Sequence, residues 1–111
     1  MRPESLKLLE DMRLAARGVS SIIAGKSIDQ FRADLQLRWA VERGFEIVGE
    51  ALTQLRKVEP AIAETITDWR AIIGFRNVLI HAYAAVNSDK TWDNAVNELP
   101  VLERELDALL A

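Results

Sequence analysis

The sequence predicts an all-α domain, an up-down bundle of four to five antiparallel helices within a single unit spanning residues 1–111. Three observations carry this. Apolar side chains recur at spacings of three and four through long stretches. No stretch alternates at period two, so no strand is predicted. Helix-stopping residues separate the stretches, at Gly25, at Glu59-Pro60 and at Asn87-Ser88-Asp89.

The first helix is expected from about Pro3 to Ala24. Pro3 and Glu4 suit a first turn, where proline loses no hydrogen bond and a carboxylate meets the positive helix end. Leu9, Met12, Ala16, Val19 and Ile23 form its apolar face, and Gly25 suits the left-handed residue after it. Ser27 with Gln30 reads as a capping box that opens a short helix. The apolar phase slips between Leu35 and Leu37, which places a bend near Asp34. Leu37, Val41, Phe45, Val48, Leu52 and Leu55 then hold one face to about Lys57. Gly44 and Gly49 are poor helix formers inside it, and close approach of another helix would explain them. Pro60 to Ile66 is a turn or short helical piece. Asp68 is the expected N-cap of a helix running from Trp69 to about Ala85. The last helix carries Trp92, Val96, Leu99, Leu102, Leu106 and Leu109, with Pro100 expected to kink it.

Composition narrows the function classes. Half of the residues are apolar, which leaves an excess for a partner surface. There is no cysteine, hence no disulfide framework and no thiolate metal site, which fits a reducing cytoplasm. No membrane-spanning run and no apolar core of a signal peptide is present. The net charge of −3 argues against a surface coated for nucleic acid. A local basic groove is compatible with it, since ten of the 14 basic residues are arginines, the better phosphate fork.

The chemistry is concentrated in Gly74-Phe75-Arg76-Asn77-Val78-Leu79-Ile80-His81-Ala82-Tyr83, which holds the only histidine and the only tyrosine. Polar groups in an apolar run are costly unless partnered. One reading is structural: Arg76 pairs with a carboxylate, and His81 and Tyr83 are satisfied core groups. The other is a functional site. On an ideal helix Asn77 and His81 are nearly in line, as are Arg76 and Tyr83, whereas Arg76 and His81 point about 140° apart. Arg76 and His81 can meet if the helix is broken between them, if Arg76 reaches round, or if a second copy presents the same helix across a two-fold axis. Glu46 and Glu50, four apart, read either as paired carboxylates on one helix side or, the preferred reading, as acceptors for arginines such as Arg43 or Arg76. One histidine without cysteine does not build a zinc site in one chain, and no glycine-rich phosphate loop is present.

Arg76-Asn77, three residues, His81, one residue, Tyr83 resembles the R-x4-H-x-Y signature of HEPN-domain proteins, and most closely that of HepT-like toxins paired with a minimal nucleotidyltransferase antitoxin. Ala40 to Ala51, with its Gly-Glu-Ala end, is similar to the long central helix of that family. Trp69 to Gly74 leads into the motif as the family does, and Trp92 with Leu99-Pro100-Val101-Leu102 resembles its C-terminal helix. The likeness covers roughly Ile28 to Leu110 and is weak before it. Ala82 departs from the glycine more common there, but is still small.

The resemblance implies a dimeric HEPN-like bundle and a metal-independent endoribonuclease without cofactors. The 2′-hydroxyl of RNA would attack the adjacent phosphorus and leave a 2′,3′-cyclic phosphate. Histidine suits the proton transfers and arginine the charge of the transition state. The implied catalytic residues are Arg76, His81 and Asn77, with Asn77 orienting His81 or bonding the phosphate. Two copies of the chain would supply two histidines to one cleft. Tyr83 is the implied AMP acceptor for the nucleotidyltransferase partner; as a residue it suits helix packing equally. A different class of function is a non-catalytic HEPN subunit that binds a nucleotide or a nucleotidyltransferase.

Overall fold

Seven α-helices follow from these signals in the computed structural model, which describes residues 1–111. They are α1 (Pro3–Ile23), α2 (Ile28–Ala33), α3 (Leu35–Val58), α4 (Pro60–Ala63), α5 (Trp69–His81), α6 (Ser88–Asp93) and α7 (Leu99–Leu109). Four long rods dominate, namely α1, α3, α5 and the continuous run from α6 into α7, so the antiparallel bundle reads as expected. Ser27 and Gln30 exchange both hydrogen bonds of the capping box. Asp34 ends α2 and caps α3, accepting from the Leu37 amide at 3.1 Å, which is the bend expected there. Asn87 caps α6 through the amides of Asp89 and Lys90.

The expected kink at Pro100 takes a particular form. Proline has no N–H, and its ring clashes with the carbonyl four residues back. The chain answers with a wider turn just before it. Residues Asn94–Glu98 form a π-helical segment, and the Leu99 amide reaches the Asn94 carbonyl five residues back.

Helix α3 is the axis. Helices α1 and α5 pack on it from different sides, and α7 closes on α1. Leu9, Met12 and Ala16 of α1 meet Val41, Leu52 and Leu55 of α3 in the core, all fully buried. The two glycines of α3 serve these contacts. An ideal Cβ on Gly44 would stand 2.3 Å from Val19 Cγ2 of α1, and one on Gly49 would stand 2.3 Å from Arg76 Cβ of α5. Both close approaches thus lie within one chain.

Two polar clasps fix the ends. Glu59, after α3, accepts from the buried Ser5 hydroxyl at 2.6 Å and from the Arg2 amide at 3.0 Å, and these bonds hold its carboxyl below the ordinary range. The Arg32 fork grips Asp89 with two 2.8 Å bonds, joining α2 to α6, and lowers the Asp89 carboxyl likewise. No helix is long and apolar enough to cross a membrane.

Two substitutions separate packing from helix propensity. Gly18 of α1 faces open space, so Gly18→Ala should raise the melting temperature by the equivalent of about 0.5–1 kcal/mol. Gly44→Ala drives a methyl into the buried Val19 and should lower stability by about 1–3 kcal/mol despite the same gain in propensity. Thermal and denaturant melts of the two variants should move in opposite directions.

Candidate functional site

The candidate residues all lie on or just after α5, so the site begins with how that helix is held. Trp69 opens it, with the Arg56 guanidinium of α3 4.4 Å from the ring centre and Arg70 at 4.8 Å. Phe75 meets Phe45 of α3 edge-on, with ring centres 5.4 Å apart. Leu79 is the one fully enclosed side chain of α5. Helix α5 thus rests on α3 along one side, and much of its circumference is open.

Asp68 occupies the N-cap position but does not cap. Its φ is 58°, in the left-handed region, and its side chain makes no cap bond. A capping side chain needs an extended backbone to reach back to the amides, and the sharp turn into α5 does not provide one. Aspartate tolerates this conformation better than most residues. The preceding Thr67 is gripped through its amide at 2.8 Å and its hydroxyl at 2.6 Å by Glu105 of α7.

The far end departs from expectation as well. Helix α5 stops at His81 and does not reach Ala85. Ala82 has φ −141° and ψ 46°, its amide still bonds to the Val78 carbonyl at 2.9 Å, and Tyr83–Ala85 form a separate 3-10 turn. Alanines here favour helix, so local propensity gives no stop. Packing does: nothing from Ile80 to Ala85 is buried, and Val86 turns back onto the core. Tyr83 therefore does not share a straight helix with Arg76, and their alignment on an ideal helix does not hold.

Arg76 points inward along α3. Its stem fills the space above Gly49, one Nη donates to Glu50 Oε2, and the other donates to Asn77 Oδ1 at 3.0 Å. Gln54 Nε2 donates to the second Glu50 oxygen at 3.1 Å, and Arg43 lies 3.2 Å from Glu46. The two carboxylates are arginine acceptors, as the sequence suggested. The Arg76 Nε is buried and has no hydrogen-bond partner.

His81 and Tyr83 are not satisfied core groups. His81 is exposed and makes no hydrogen bond within the chain, and Tyr83 is 81% exposed. Arg76 and His81 lie on one unbroken helix and so diverge, and the reach of Arg76 is taken up by Glu50 and Asn77. Asn77 faces Arg76 and not His81. One chain thus assembles Arg76, Asn77, Glu50 and Gln54 but leaves His81 and Tyr83 apart. Gln54 gave no signal in the sequence beyond its i, i+4 spacing from Glu50.

An apolar hollow of about 300 Å³ lies between α3, α5 and α7, lined by Phe45, Val48, Ile72, Phe75, Leu99 and Leu102 among others. None of the four motif residues reaches it. Glu42, on the same helix as Glu50, is half-buried without a hydrogen bond; burial pushes its carboxyl up, Glu46 adds to this, and Arg38 opposes it. No group of three or more histidine, aspartate or glutamate side chains is placed to hold a metal ion.

The all-α bundle, with Arg76, Asn77 and His81 carried on one helix, fits a HEPN-type domain. A "Ribonuclease HepT-like" family model matches residues 12–109, reaching into α1 beyond the Ile28 limit of the sequence resemblance. The chain belongs to the HepT-like ribonuclease family. It is 35% identical over 88 residues to a protein named "Putative RNase" from Caldanaerobacter subterraneus subsp. tengcongensis, covering 79% of this chain and 78% of that one. A "Probable ribonuclease HepT" from Thermococcus cleftensis is 28% identical over 91% of each chain. A "Putative RNase" from Methanocaldococcus jannaschii is 27% identical over 89% of this chain and 90% of its own. No solved structure matches the chain.

Glu42 gives a pH test of the packing on α3. A carboxyl whose pKa is raised in the folded state binds its proton more tightly there than in the unfolded chain. Its contribution is lost as pH rises from the unfolded value, about 4.3, through the raised folded one. Glu42→Gln should therefore raise the melting temperature at pH 7, and the difference should vanish below about pH 4. A substitution that is neutral or destabilising at pH 7 would contradict this.

Proposed function

We propose that the chain is a metal-independent endoribonuclease whose active cleft forms between two copies, with Arg76, Asn77 and His81 as its catalytic residues. The observation that carries the reading is the divergence of the motif residues. His81 is free of internal partners at the end of α5, and Arg76 is held on the flank of the same helix about 140° away. The family supports RNA as the substrate, and the divergence supports the second copy. Across a two-fold axis, His81 of one protomer can face Arg76 of its partner, and the cleft gains two imidazoles.

The apolar surface supports the same reading. Leu14 of α1, Trp39 of α3 and Ile80 of α5 are 76%, 63% and 42% exposed. A shallow groove between α1 and α3, lined by Leu14, Arg43, Ile47, Glu50 and Gln54, runs up to the carboxylate that holds Arg76. In the cleft one imidazole takes the proton of the 2′-hydroxyl, and the other protonates the leaving 5′-oxygen. The Arg76 fork binds the phosphate oxygens as charge develops, and Asn77 steadies the fork. The product is a 2′,3′-cyclic phosphate.

Labelled tRNA or mRNA incubated with the purified chain should be cut with or without EDTA. Arg76→Ala and His81→Ala should each cost about 10²–10⁴ in rate, with the His81 variant melting like the parent because that side chain has no internal partner. Light scattering on the parent at tens of micromolar should give twice the 12.5 kDa chain mass. EDTA-sensitive cleavage, full activity of His81→Ala or a monomer would each remove the two-histidine cleft. A parent that binds nucleotide and cuts no RNA would point to the non-catalytic subunit.

We further propose that the chain is the toxin of a toxin–antitoxin pair in the cytoplasm, silenced by a nucleotidyltransferase that adds AMP to Tyr83. The exposed hydroxyl, in the turn directly after His81, supports this. Each AMP adds a charge of about −1 beside the cleft, which repels RNA phosphate. Mass spectrometry of the chain co-expressed with such a partner should show added AMP, absent from Tyr83→Phe, and Tyr83→Phe should remain toxic. An unmodified chain that the partner still silences would point to steric capture.

A further inference from the structure

We infer that Glu50 is a positioning residue for Arg76, part of a relay Gln54–Glu50–Arg76–Asn77 that fixes which N–H groups of the guanidinium are offered to a phosphate. The inference rests on the ribonuclease reading above and deepens it.

The geometry begins with Gly49. A Cβ there would stand 2.3 Å from Arg76 Cβ and 2.7 Å from Arg76 Cγ, so only glycine lets the arginine stem lie against the α3 backbone. The stem brings the guanidinium to the next residue of α3, where Nη2 donates to Glu50 Oε2. The other Glu50 oxygen is occupied by Gln54 Nε2 at 3.1 Å, which orients the carboxylate from the turn below. Arg76 Nη1 donates to Asn77 Oδ1 at 3.0 Å.

A guanidinium has five N–H donors. The Nε–H is buried without a partner, and each Nη spends one N–H on the relay. One N–H remains on each terminal nitrogen. Two N–H groups are the number that a two-oxygen grip on phosphate needs. Without Glu50 the long side chain regains its rotamers, and the pair has no fixed direction. Glu50 would thus act through Arg76 without touching the substrate.

Two rival roles make opposite forecasts. If Glu50 merely opposes RNA by its charge, removing it should tighten binding and speed cleavage. If it merely stabilises the bundle, its loss should lower the melting temperature and leave the rate per folded molecule unchanged. The carboxylate side chain is 47% exposed on a helix surface, so Glu50→Ala should fold.

The experiment uses the whole chain as parent, Glu50→Ala and Glu50→Gln. The side-chain Nε–H of Arg76, assigned with Arg76→Lys, is followed by ¹⁵N NMR. It should be slowly exchanging in the parent, fast in Glu50→Ala and largely restored in Glu50→Gln, which keeps an acceptor oxygen. In RNA cleavage Glu50→Ala should lose about 10²-fold in kcat, the cost of a misaimed group, with KM unchanged or lower, and Glu50→Gln should recover most of it. An Arg76 signal unaltered in Glu50→Ala overturns the inference. So does cleavage by Glu50→Ala at the parent rate or faster, or a loss that merely follows the unfolded fraction. If the parent cuts no RNA the ribonuclease reading fails, and the NMR arm alone decides whether Glu50 positions Arg76.

Discussion

The contact on which the arrangement depends is the one between Gly49 and the stem of Arg76. A helix interior normally disfavours glycine by about 1 kcal/mol relative to alanine. Here the missing methyl lets α5 settle on α3 with the arginine between them. The same approach delivers the guanidinium to Glu50 and leaves its Nε buried without a partner. Packing and chemistry are therefore coupled at one point. With the arginine 21% and the carboxylate 47% exposed, water screens the pair. Such a pair typically contributes only about 0–1 kcal/mol, so its value lies more in direction than in stability.

The one-sided support of α5 has consequences for the whole motif. Trp69, Phe75 and Leu79 hold it to α3, which is its main packing partner. Its remaining surface is free to carry Asn77, Ile80 and His81 outward. Packing ends at Leu79, so the helix ends soon after, and Tyr83 lies in a tight turn beyond it. Loss of packing, and no helix-breaking residue, marks this boundary.

Ser27 with Gln30, the slip at Asp34 and the stop at Glu59-Pro60 were legible because each is a local event set by one or two side chains. Pro100 was legible as a disturbance but not in form, since a π-helical turn and a kink are both ways to relieve the same clash. Asp68 misled because its residue type suits a cap while its backbone, set by the turn before α5, does not. The pairing of Glu50 with Arg76 was legible as charge matching across two helices. The exposure of His81 and Tyr83 was not, because a run as apolar as Val78-Leu79-Ile80 suits a core helix and a half-open one equally.

By itself the sequence determined the all-α class, most helix limits and the glycines that mark close approach. These follow from periodicity, capping and composition, which act over a few neighbouring residues. Tertiary structure alone decided which side of α5 is covered, where α5 stops, and which partners Arg76 takes. These depend on how helices distant in sequence share one core, and no local pattern encodes that. The same packing turns Arg76 toward α3 and leaves His81 outside.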